Sequence, residues 1–103
     1  MGVALVVRFD VRDEAAAARF DALTAEVVAA IAAHEPGTLV YATHAVRDEP
    51  LARVFYEVYA DEAAFAAHEQ ATHVVSFHAR KAALLAAAPR VELRVPGPGS
   101  STD

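Results

Sequence analysis

Between Val3 and Val11 apolar and aromatic side chains recur at every second position. Val3, Leu5, Val7, Phe9 and Val11 share one face of a strand, with Ala4 and Val6 opposite. Arg12-Asp13-Glu14 ends it, and Asp13 is placed to cap an alanine-rich helix. There Phe20, Leu23, Val27, Val28 and Ile31 recur at helical spacing as far as about Ala33. His34-Glu35-Pro36-Gly37 stops that helix, since proline followed by glycine suits a turn. Thr38 to Val46 and Leu51 to Tyr59 are strand-like runs on either side of Arg47-Asp48-Glu49-Pro50, which predicts a hairpin. Asp61 caps a helix running through His68 and Glu69. Thr72 is placed to cap another, with Val75, Leu84 and Leu85 among its apolar positions. Arg90 to Val95 alternates charged and apolar residues, as an edge strand does.

The predicted order is βαββαβ with the second helical region broken in two, an α+β fold with an antiparallel sheet. It makes one domain over residues 1–95, followed by a polar tail over residues 96–103 with no apolar surface to bury. The strands carry apolar residues on both faces, Phe55 and Tyr59 lying opposite Val54 and Val58. Helices from one chain cover only one face of such a sheet. A second copy is the economical cover for the other, so a face-to-face homodimer is expected.

At 103 residues the chain can build one hydrophobic core. A net charge of −5 without a basic cluster argues against a nucleic-acid partner. No cysteine is present, which excludes a disulfide framework, a thiolate nucleophile and a thiolate metal site. The N-terminus enters a strand at once rather than forming a signal peptide, and no apolar run reaches membrane-spanning length. A cytoplasmic location is the expectation. No Gly-rich phosphate loop or dinucleotide fingerprint occurs, so no nicotinamide or flavin cofactor is expected.

Several short motifs stand in order: Glu35-Pro36-Gly37-Thr38-Leu39-Val40-Tyr41, then Phe55-Tyr56-Glu57-Val58-Tyr59-Ala60-Asp61-Glu62, then Ala64-Phe65-Ala66-Ala67-His68, with His73 and Phe77 following. On these the chain resembles the antibiotic-biosynthesis-monooxygenase-like proteins over roughly residues 3 to 95. The small quinol monooxygenases of that group are nearest, with a branch that isomerises a phosphorylated autoinducer breakdown product beside them. The resemblance implies ferredoxin-like subunits joined into a dimeric α+β barrel. It also implies a cofactor-independent oxidation by dioxygen of a quinol or polyphenol-like aromatic. Two positions depart from the family pattern: Ala71, where serine or threonine is frequent, and Thr72, where proline is frequent. The haem-degrading branch carries tryptophan where His68 stands and a histidine where His78 stands. This chain has neither tryptophan nor asparagine, and only His78 remains to suggest haem binding.

His68 is the candidate base, because an imidazole with an ordinary pKa of about 6.5 accepts a proton from a phenol or hydroxyketone at neutral pH. The plain alternative is a helix-end histidine. Glu57, among valines and aromatics, either orients His68 or holds a substrate hydroxyl, or else pairs with Arg53 on its own face. Phe55, Tyr59, Phe65, His73 and Phe77 are expected around the substrate, as pocket wall or core. Pairing Val46 with Leu51 brings His44 to the same face, whereas a one-residue slip brings Tyr41 instead; both are carried as substrate-binding candidates. The histidines lack the spacing of a metal site, so no metal is expected. Isomerisation of a small hydroxycarbonyl compound is the alternative reaction, with Arg8 and Arg53 as the strand cations for a phosphorylated substrate. A non-catalytic ligand-binding dimer is the third reading.

Overall fold

In the computed structural model, which describes residues 2–99, the N-terminal alternation becomes strand β1 (Val3–Asp10). Val11 stands just beyond it in an isolated bridge to Leu85. Asp13 caps helix α1 (Glu14–His34), its carboxylate accepting from the Ala16 N–H at 2.8 Å. The hairpin strands are β2 (Thr38–Val46) and β3 (Glu49–Tyr59). Helices α2 (Glu62–Gln70) and α3 (Thr72–Lys81) follow, then a short 3-10 turn (Ala82–Leu84) and strand β4 (Arg90–Arg94).

The sheet order is β2-β3-β1-β4 with every pairing antiparallel, and the helices lie against one face. This is the α+β fold with an antiparallel sheet that the pattern predicted, and its topology is the ferredoxin-like one that the resemblance implied. Strand β4 pairs with β1 alone and forms an exposed edge. Residues 95–99 beyond it are exposed and carry no regular structure; the rest of the expected tail lies outside the described residues.

Three expectations are corrected. The hairpin turn is only Arg47-Asp48, because β3 begins at Glu49 and takes in Pro50. Asp48 adopts a left-handed φ of 64°, a conformation aspartate tolerates better than most residues. Ala71, not Thr72, sits at the N-cap of α3, and it offers no side-chain acceptor. Finally, Val75 is 54% exposed, and α3 instead buries Val74, Phe77 and Lys81, spaced at i, i+3 and i+7.

The core lies between the sheet and the helices. Phe9, Phe20, Phe55 and Phe77 form its centre, with ring centroids 4.8 to 6.4 Å apart. Of the α1 stripe predicted from spacing, Val28 is only half-buried and stays outside the core, whereas Phe20, Leu23, Val27 and Ile31 enter it. Each such side chain contributes roughly 1.5–3 kcal/mol by burial. The other sheet face carries Val6, Val40, Ala42, Val54, Tyr56 and Val58, and no helix or strand among the described residues packs over it.

Candidate active site

Helix α1 ends one residue before Glu35, whose own N–H closes the last turn on the Ile31 carbonyl at 2.9 Å. From there the Glu35 side chain turns inward beneath α2 and α3. Thr38 Oγ1 donates to its Oε1 at 2.7 Å, and His68 Nδ1 donates to the same oxygen at 2.8 Å. His73 Nε2 donates to Oε2. Burial alone would raise the Glu35 pKa, but these three donors outweigh it and hold the group below the ordinary carboxylate value. A carboxylate therefore stands between two imidazoles, and it fixes the His68 proton on Nδ1.

His68 reaches this position because Asp61 starts α2 at the end of β3, capping the Ala64 N–H at 2.8 Å. Gly37 matters equally. A Cβ there would lie 2.6 Å from Ala64 Cβ, so only glycine lets the start of β2 meet α2 this closely. His68 is 2% exposed and its ring packs against Tyr59 and Tyr41, at centroid separations of 4.9 and 5.6 Å. Among the described residues its Nε2 has no hydrogen-bond partner, and it faces Glu57 Oε1 at 3.8 Å.

Glu57 and His68 line a cavity of about 450 Å³ between the sheet and the end of α3, a volume suited to a small organic ligand. Its walls are apolar, from Leu5, Val7, Phe9, Phe65, Val91 and Leu93, and Tyr41, His78 and Lys81 add polar groups. Glu57 is 5% exposed, and the Tyr59 hydroxyl donates to its Oε1 at 2.5 Å. Desolvation raises the Glu57 pKa; the Tyr59 bond and the nearby His68 offset this only in part. The Tyr41 phenol is also pushed upward, first by burial and then by the Glu57 charge, and so remains a neutral donor. Among the described residues, no group of three or more His, Asp and Glu side chains is disposed to hold a metal ion.

The register resolves the choice left open between Tyr41 and His44. Tyr41 lies opposite Glu57 and faces the cavity; His44 lies opposite Val54 on the other sheet face, its Nδ1 at 3.1 Å from the Val54 carbonyl. The irregular pairing between Ala45 and Val46 produces this slip, and it removes His44 from the candidate pocket. Phe65 lines the cavity as expected, whereas Phe55, Tyr59 and Phe77 are core residues that do not. Tyr59 acts on the site through its bond to Glu57, and His73 acts through Glu35. Arg53 is not the partner of Glu57: it grips Asp21 of α1 at 2.8 and 3.0 Å. Arg8 pairs with Asp10 and Glu49, so neither strand arginine lines the cavity.

The sequence reading missed Glu35 and Lys81. Glu35 belongs to the helix stop and to the Glu35-Pro36-Gly37-Thr38-Leu39-Val40-Tyr41 motif of the resemblance, but neither gives its side chain a role. Lys81 follows Val74 and Phe77 at core spacing, a signal for a cation on a buried face.

Residues 2–80 match the family described as antibiotic biosynthesis monooxygenase. No curated protein sequence matches significantly. Among solved structures, an antibiotic-biosynthesis-monooxygenase-type protein from Caulobacter crescentus is 27% identical with a TM-score of 0.85, covering 90% of this chain and 87% of its own. Rv0793 from Mycobacterium tuberculosis is 24% identical at a TM-score of 0.88, covering 98% and 100%. SnoaB from Streptomyces nogalater, a cofactor-independent oxygenase, is 23% identical at a TM-score of 0.80 and covers 95% of each chain. The last two likenesses speak to the fold alone. With its ferredoxin-like topology, its largely apolar cavity and a match across most of its length, this chain belongs to the antibiotic biosynthesis monooxygenase family.

Proposed function

We propose that the protein is a cofactor-independent monooxygenase that oxidises a quinol or polyphenol-like aromatic with dioxygen. The observation that carries this reading is the state of His68. Its Nδ1–H is committed to a buried carboxylate, while its Nε2 has no hydrogen-bond partner among the described residues and faces an apolar cavity beside Glu57. In that tautomer Nε2 is a base aimed at the ligand space.

A phenolic O–H transfers its proton to Nε2, and Glu35 stabilises the resulting imidazolium across the ring. Glu57 and Tyr41 hold the other oxygen substituents, with Glu57 donating while it keeps its proton. The phenolate is electron-rich enough to reduce dioxygen directly. One oxygen atom adds at a ring carbon and the other departs as water with the displaced hydrogen and the phenolic proton. Both electron pairs come from the substrate, and a hydroxyquinone remains. No external reductant enters the balance. The protein contributes orientation, a dry pocket and charge stabilisation.

The second copy of the chain belongs to the same proposal as the cover for the uncovered sheet face. Oxygen uptake with a panel of hydroquinones is the test. Uptake that depends on His68 is expected. Turnover of a hydroxycarbonyl compound without oxygen consumption would replace oxygenation with isomerisation, and no turnover of either class would leave a binding protein.

A further inference from the structure

The cavity has a second polar end, which the proton transfer described above does not use. Lys81 sits on the buried face of α3 and is 5% exposed, yet it is one of the residues that line the cavity. Nζ donates to His78 Nδ1 at 2.7 Å and lies 5.1 and 5.4 Å from the ring centroids of Phe9 and Phe77. Among the described residues, no carboxylate stands within ion-pair distance of it. A buried ammonium without an anion is costly, and an apolar side chain of the same length would fill the space better. Burial does lower the Lys81 pKa, an effect that a bound anion would offset.

We infer that Lys81 and His78 form an anion subsite. It takes the carboxylate of a flat aromatic ligand whose hydroxyl reaches His68 and Glu57 at the other end of the cavity. The substrate class is therefore a hydroxyaryl carboxylate. The hydroxyl end of this assignment rests on the proposed function; the anion end rests on Lys81 alone. With Nζ donating to Nδ1, the His78 proton is on Nε2, a second donor. The apolar walls between the two ends, Leu5, Val7 and Phe9 on one strand with Val91 and Leu93 on the next, suit a ring system. One ammonium matches one negative charge. A phosphate dianion would meet no arginine here, and Glu69 on the same cavity would repel its second charge.

Anaerobic titration calorimetry tests this without turnover. The probes are a hydroxynaphthoate with hydroxyl and carboxylate on opposite rings, and the naphthol that lacks the carboxylate. The wild-type protein should bind the hydroxynaphthoate at least about tenfold more tightly, a difference of about 1.4 kcal/mol. Lys81→Met should bind both equally while keeping its affinity for the naphthol, and Lys81→Gln should behave alike if the methionine variant fails to fold. Equal affinities in the wild-type protein overturn the subsite, as does failure to bind either probe or a preference that survives in both variants. Selective binding without oxygen uptake would leave the subsite standing and remove the oxygenase reading. Oxygen uptake from neutral quinols with no carboxylate preference would do the reverse.

Discussion

In the proposed reaction His68 serves as the base only because Glu35 fixes its tautomer, so the two are expected to act as one unit. His68→Gln keeps the volume and removes the proton acceptor. General-base contributions are about 10²–10⁴-fold, and turnover should fall by at least about a hundredfold while the chain stays folded. Glu35→Gln should lose turnover to a comparable degree, since it frees the imidazole to take the wrong tautomer. The double variant should be little worse than either single one, and additive losses in steady-state kinetics would separate Glu35 from the base. The two buried carboxyl groups also respond oppositely to pH. Glu57 is raised above its ordinary 4.5, so the unfolded chain releases that proton first and stability falls as pH rises through the raised value. Glu35 is lowered, so its contribution is present above 4.5 and is lost as pH falls through the folded value. Melting of Glu57→Gln against wild type should therefore show the variant gaining as pH rises from about 4 to about 8. A gap that does not widen would mean that Glu57 is not held protonated by burial. His68 and Glu57 were legible as candidates from their types and neighbours. Their partners were not, because His68 meets Glu35 from 33 residues away along the chain, and only packing brings that pair together.

The elements themselves were legible where the physics is local. Asp13 and Asp61 cap the helices that their positions announced, and the α1 stripe apart from Val28 is buried as spaced. Legibility failed where one element sets another's register: the irregularity between Ala45 and Val46 in the β2–β3 pairing decided between Tyr41 and His44, and no alternation pattern encodes it. The same limit hid the role of Gly37. Its φ is not positive, so it is glycine for space rather than for backbone freedom. Gly37→Ala would press a methyl onto Ala64 Cβ, which is fixed to the α2 backbone and has no rotamer to escape into. The helix must shift, at roughly 1–3 kcal/mol for an overpacked contact, and His68 moves with it. A fall in melting temperature together with lost turnover is expected. An unchanged melting temperature would show that α2 is not clamped at this point. Asp61→Ala should cost roughly 0.5–2 kcal/mol in chemical denaturation by uncapping the same helix.

At the scale of the whole molecule, the sheet has one face filled by helices and one face of valine, alanine and tyrosine that no helix among the described residues covers. Tyr56 stands near its middle on β3 at 41% exposure, with Val40 on the neighbouring strand at 37%. Arg8, Asp10 and Glu49 gather at one end and Arg90, Glu92 and Arg94 along the β4 edge, so the apolar strip has a polar rim. An apolar core within a charged border is the layout of a subunit interface, and an antiparallel sheet face is readily self-complementary about a twofold axis. The sequence already pointed to this through its two-sided strands, because the count of apolar faces exceeds the count of helical layers. Light scattering at micromolar concentration should give twice the 10.9 kDa chain mass. Tyr56→Glu would place a charge at the centre of the strip without touching the cavity, which lies on the opposite face. It should shift the mass toward that of the monomer while leaving the circular dichroism of the fold in place. A wild-type monomer, or a Tyr56→Glu protein that remains a dimer, would mean that this face is not where two copies meet.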